Sequence, residues 1–176
     1  MASRDEISTQ SMPAARPHYQ KTLASTVSCS GIGLHSGESV GLTLRPAPID
    51  TGIRFVRQCG STSLETLAHA DHVTSTSNAT TIGVGDASVS TIEHLMAALY
   101  VFGVNNAHVE IDGPEVPAMD GSAASFAGLL ASAGLHEQAA TQPVIEMLRT
   151  IEIADGNRRI SIEPARQLHV VYAIDF

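Results

Sequence analysis

Ser88-Val89-Ser90-Thr91-Ile92-Glu93-His94-Leu95-Met96-Ala97-Ala98-Leu99-Tyr100-Val101-Phe102-Gly103 is the stretch around which the rest of the chain is organised. Apolar residues at Ile92, Leu95, Met96 and Leu99, with Phe102 following less regularly, recur at the i, i+3, i+4, i+7 spacing of an amphipathic helix with one buried stripe. Gly103 ends it. Ser90 lies three residues before Glu93, the spacing of a capping box, which predicts a helix starting at Ser90 with Glu93 in its first turn. His94 then points away from the stripe, on a face shared with Ala97, Ala98 and Val101, where small side chains let another group approach.

The positive end of the helix dipole disfavours imidazolium, so His94 is expected to stay neutral and able to bind a metal. The plainer reading makes Glu93 a capping partner and His94 a surface or interface histidine. The helix alone does not choose between the two.

Working outward, 176 residues with 43% apolar and 16% charged content suit a soluble chain with one sizeable domain, or one domain and part of another. Eighteen acidic against ten basic residues, no basic run and no Trp argue against a nucleic-acid binder. A nucleotide-sugar substrate needs only a few local contacts and stays open. Cys29 and Cys59 fall in no CxxC pattern and read as free, buried thiols of a reducing, cytoplasmic compartment. Residues 1–20 lack a signal-peptide core and read as a flexible tail, and no apolar run reaches membrane-spanning length.

Residues 21–30 read as one strand, followed by the glycine-punctuated loop Gly31-Ile32-Gly33-Leu34-His35-Ser36-Gly37, in which His35 is a turn-stabilising hydrogen-bonder or a site residue. Strands follow at 39–44, at 52–57 with Arg54 and Arg57 facing solvent, and at 78–84. His69-Ala70-Asp71-His72 has metal-ligand residue types, but the two histidines could share a metal only on a helix, which nothing nearby supports; it reads as a polar loop. In 107–112, His108, Glu110 and Asp112 share the solvated face of a strand and Val109 and Ile111 the other. Gly113-Pro114-Glu115-Val116-Pro117 is a rigid loop leading to Met119-Asp120-Gly121-Ser122, where Asp120 or Ser122 caps a second helix through about residue 132, closed by Gly134. Polar residues 136–142 read as a linker. Beyond them come a hairpin about Asp155-Gly156 and a third strand at 168–176, with no helix left to cover it.

Four of these stretches together resemble one family, the zinc-dependent UDP-3-O-acyl-N-acetylglucosamine deacetylases of lipid A biosynthesis. They are Gly31 to Gly37, Ser90-Thr91-Ile92-Glu93-His94-Leu95-Met96-Ala97-Ala98-Leu99, Gly113 to Pro117, and Met119-Asp120-Gly121-Ser122-Ala123-Ala124, after which Ser125 stands where the family usually has Pro. The resemblance implies an α+β fold, a two-layer sandwich of a sheet on helices. Residues 21–138 would form a first domain, and 139–176 a linker and the opening strands of an incomplete second one.

By the same resemblance Glu93 is the general base and His94 the first zinc ligand, with Phe176 near the sugar. The family's other two ligands, a His and an Asp, would lie beyond Phe176. The chain would then hold one of the three protein donors that a catalytic zinc takes, bind it weakly, and turn over little or nothing alone. The implied partner is a UDP-sugar lipid precursor whose acyl chain brings a cytoplasmic monomer to the membrane surface. The rival reading is a non-catalytic binding or assembly module built on the first domain.

Overall fold

The computed structural model describes residues 18–173; most of the expected tail, and Phe176, lie outside the described residues. The chain enters β1 (Tyr19–Leu23) and resumes after a break as β2 (Val27–Ile32). The single strand expected over 21–30 is therefore two. Ala24 N bonds Gly134 O and Ser25 Oγ bonds Ala133 O, and these bonds turn the segment out of its first pairing. Then follow β3 (Ser39–Pro46), β4 (Ile53–Cys59) and β5 (Thr62–Leu67). A 3-10 turn at Ala70–His72 leads to the short β6 (Val73–Ser75) and β7 (Thr81–Ile82). After these come α1 (Glu93–Phe102), β8 (Ala107–Ile111), α2 (Ala124–Ala133) and β9 (Leu135–Thr141). A hairpin of β10 (Ile151–Asp155) and β11 (Arg158–Ile162) closes the described chain. The described residues fall into two compact units that divide between Gln142 and Pro143.

In the first unit five strands pair in the order β2-β3-β8-β4-β5, antiparallel except for β4 with β8. A parallel pair needs a crossover, and the segment between β4 and β8 supplies it with α1 aboard. Alternation places Val40, Leu42 and Leu44 of β3 on the same side as Val109 and Ile111 of β8, all buried. Leu95, Ala98 and Leu99 of α1 and Phe126 and Leu130 of α2 complete that core, and the two helices touch each other. The result is the α+β layering expected, sheet on helices. β1 and β9 form a separate two-stranded ribbon.

The stretch expected as a linker is the edge strand β9. Its backbone pairs with β1 from Leu135 opposite Leu23 to Thr141 opposite Tyr19, while most of its side chains are exposed, so it shows none of the apolar alternation that marks a strand in sequence. Gln138 explains its anchoring: it accepts from Asn106 Nδ2 at 2.7 Å and donates to Ala47 O at 2.9 Å. Arg57 is half-buried rather than solvent-facing, with Nη1 on Ser88 O at 3.0 Å. Arg54 pairs with Glu65 on the surface at 2.6 Å.

The second unit is described by itself. Gly156, at φ 59°, occupies the first place of a two-residue loop, where tight hairpin turns need a positive φ. The loop is Gly156-Asn157, one residue later than expected, and the register pairs Ile151 with Ile162 and Ile153 with Ile160, so four isoleucines share one exposed face. The strand expected from Leu168 is absent among the described residues through Ala173, whose backbone pairs with nothing there. No helix among the described residues is long and apolar enough to cross a membrane.

Candidate functional site

The first turn of α1 carries the acid–histidine pair, and it does not begin as the capping-box spacing predicts. Ser90 makes no cap bond, because its backbone is already used: Ser90 N bonds Pro114 O and Val116 N bonds Ser90 O, both at 3.0 Å, a parallel bridge to the loop before α2. Thr91 then sits at φ 58°, a left-handed conformation costly for a β-branched residue. The helix therefore opens later, with Ile92 in the cap position and Glu93 as its first residue.

That late start leaves Glu93 and His94 side by side and exposed, with Ile92 and Leu95 buried on either side. Thr80 N donates to Glu93 Oε1, which sets the carboxylate against the loop after β6. Of the small residues expected around His94, Ala97 and Val101 are exposed, whereas Ala98 turns inward into the core. Its position, four residues after His94 and three after Leu95, falls between the two faces, and the core claims it.

Directly beneath this turn lies Glu115, 1% exposed. Its Oε1 accepts from Thr91 Oγ1 at 2.7 Å and from His35 N at 3.0 Å, and its Oε2 accepts from Ser36 N at 2.8 Å and His35 N at 3.1 Å. Burial alone would raise its pKa, but the Ser36 N–H, the Thr91 hydroxyl and the His35 N–H together hold it down at about 2. Gly33 is glycine for the same reason, since a Cβ there would lie 2.5 Å from Glu115 Oε2. Sequence reading quoted the Gly113 to Pro117 motif without giving Glu115 a task. The available signal was a lone charge between Pro114 and Val116-Pro117, a setting that buries it.

The other candidates scatter. His35 is engaged through its backbone N–H while the residue itself is exposed. His69 Nδ1 accepts from Asp71 N, and His72 Nδ1 lies 2.8 Å from Leu67 O, so both rings stabilise the local turn. His108 lies on the face of β8 turned away from the core, beside the Arg45–Glu110 ion pair. Asp120 accepts from Ser122 N and Oγ, and Ser122 Oγ accepts from Ala124 N, so the two residues order the loop into α2, which itself starts at Ala124 with no side-chain cap. Gly134 closes α2 as expected. Cys29 and Cys59 are free and half-buried, and burial pushes the Cys29 thiol up.

Among the described residues no three of His, Cys, Asp and Glu converge as a metal-holding group. His94 is a single donor where a catalytic zinc takes three, so the described side chains alone do not fit that ion.

Fold and site together define an α+β sandwich domain that presents an exposed acid–histidine pair on the first turn of a helix. The chain belongs to the UDP-3-O-acyl N-acetylglycosamine deacetylase family, whose sequence profile matches residues 20–176. It is 48% identical over 158 residues to the UDP-3-O-acyl-N-acetylglucosamine deacetylase of Geobacter sp. (strain M21), covering 90% of this chain and 52% of that protein. The deacetylase of Myxococcus xanthus (strain DK1622) is 48% identical over 159 residues, with 90% and 51% covered. That of Pseudomonas entomophila (strain L48) is 46% identical over 157, with 89% and 52% covered. The chain thus spans about half the length of the curated relatives it matches.

Proposed function

We propose that this chain supplies the proton-accepting half of a site that hydrolyses the N-acetyl amide of UDP-3-O-acyl-N-acetylglucosamine, a step of lipid A biosynthesis carried out in the cytoplasm. The observation that carries the proposal is the pair Glu93 and His94, adjacent and exposed at the start of α1. Family membership and the names of the three relatives support the substrate.

In this reading Glu93 takes a proton from the water whose oxygen bonds to the acetamide carbonyl carbon. The C–N bond then breaks, the oxygen leaves in acetate, and the sugar nitrogen takes up a proton to become a free amine. Thr80 N on Oε1 steers the carboxylate for that task. The zinc that the family implies would supply Lewis-acid polarisation of the carbonyl, and it needs donors besides His94. Phe176, expected near the sugar, lies outside the described residues.

The single donor also favours a second reading, a binding or assembly module without turnover. Acetate release from UDP-3-O-acyl-N-acetylglucosamine separates them. The purified chain with added zinc is expected to release acetate at the background rate, and to gain zinc-dependent release when the part of the Geobacter relative that it does not match is supplied as a second polypeptide. Glu93→Ala should remove that gain. Release that survives Glu93→Ala overturns the assignment of the base, and no gain on complementation favours the module.

A further inference from the structure

Three segments meet at one buried carboxylate. The Gly33 to Ser36 turn donates two backbone N–H groups to Glu115, Thr91 donates its hydroxyl, and Glu115 itself belongs to the loop bridged to Ser90. Thr91 at φ 58° is the point where the chain leaves that bridge, and Glu93 and His94 follow it two and three residues later. A left-handed β-branched residue persists only where its surroundings over-determine it, and such residues concentrate at functional sites. Here the over-determination is visible. The hydroxyl is held at 2.7 Å by a carboxylate that two further donors lock in place, while the backbone on the N-terminal side is fixed by the Ser90 bridge.

We propose that Glu115 is a positioning residue for Glu93 and His94. By holding Thr91 in its left-handed turn it delays the start of α1 to Glu93, so that both side chains emerge on the open side of the first turn. Without it the Ser90 bridge stays in place but Thr91 is free to relax out of its left-handed conformation, which would turn Glu93 away from Thr80 N. The reading of Glu93 and His94 given above underlies the functional meaning of this role; the geometry itself stands without it.

The test is NMR on the isotopically labelled full chain carrying Glu115→Gln, Thr91→Val or Thr91→Ser, with Leu44→Ala on β3 as a control for lost stability. Three signals report the turn. They are the Thr80 amide bonded to Glu93, the His94 imidazole nitrogens, and hydrogen exchange at Met96 N, which makes the first bond of α1 to Ile92 O.

Glu115→Gln and Thr91→Val should shift the first two signals and speed Met96 exchange about tenfold beyond the control, with Thr91→Ser restoring the parent values. Unchanged signals in Thr91→Val, or equal changes in Leu44→Ala, overturn the role. Should Glu115→Gln not fold, Thr91→Val decides alone. Failure of the deacetylase reading would show separately, as acetate release insensitive to Glu93→Ala while these shifts remain.

Discussion

Two glutamates on either side of Thr91 have opposite surroundings. Glu115 is 1% exposed and accepts from three residues, whereas Glu93 is exposed and takes one recorded bond, from Thr80 N. The same functional group is structural in one place and available for chemistry in the other. What separates them is the supply of donors: the Gly33 to Ser36 turn and Thr91 aim theirs inward at Glu115. The comparison teaches that the open turn of α1 owes its shape to a closed node one layer below it.

The sharpest way to break this comparison is to remove the buried member. Glu115→Ala orphans the N–H groups of His35 and Ser36 and the Thr91 hydroxyl, all of which point at a carboxylate only 1% exposed. At roughly 1–3 kcal/mol for each buried group left unpaired, partly relieved by relaxation, a loss of about 3–5 kcal/mol is expected. Urea denaturation checks it, and a loss below about 1 kcal/mol would show that the node is not what holds these loops.

Acid tests the same node without mutation. The folded pKa of Glu115 lies at about 2, against 4.5 for an ordinary glutamate. A depressed folded value means the stabilisation is fully present above the unfolded pKa and disappears as pH falls through the folded one. Between pH 5 and 2 the chain should therefore lose on the order of 3 kcal/mol through this residue, and Glu115→Gln should flatten that part of the profile. Urea midpoints measured down that range report it.

The layers, and the placing of His94 off the buried stripe of α1, were legible in the sequence because periodicity records burial. Leu95 and Leu99 in α1 and Val109 and Ile111 in β8 announce their buried faces. β9 was not legible, since an edge strand with exposed side chains is defined by backbone pairing to β1, which composition does not record. The start of α1 was misread for a related reason. Ser90 and Glu93 have capping-box spacing, but the Ser90 backbone is claimed by Pro114 and Val116, residues more than twenty positions away. Thr91 gave no sign either, since a β-branched residue is among the least expected at positive φ. Glu115 was invisible as a node because its donors come mostly from main-chain atoms of a turn distant in sequence.

Crowding the node should cost less than emptying it. Gly33→Ala places a methyl 2.5 Å from Glu115 Oε2 and also against Ser36 Oγ. The serine hydroxyl can rotate away, but the carboxylate is pinned on three sides, so the turn must open until the methyl clears Oε2, at a cost of about 1–3 kcal/mol. The Thr91 hydroxyl resonance and the urea midpoint should both move. A neutral Gly33→Ala would mean that the glycine serves only the conformation of its loop.

The smallest stability effect is expected at Glu93, the residue proposed as the general base. Glu93→Ala removes a favourable charge at a helix N-terminus, worth about 0.3–1 kcal/mol. It also frees Thr80 N, which is only half-buried and within reach of water. This single donor can exchange its protein partner for solvent, so the whole substitution should lower stability by no more than about 1 kcal/mol. If urea denaturation instead gave a loss near that of Glu115→Ala, Glu93 would be a second structural anchor and its exposure no sign of chemistry. A loss within the smaller range, with zinc-dependent acetate release gone from the complemented preparation, would separate support from reaction at two carboxylates joined through Thr91.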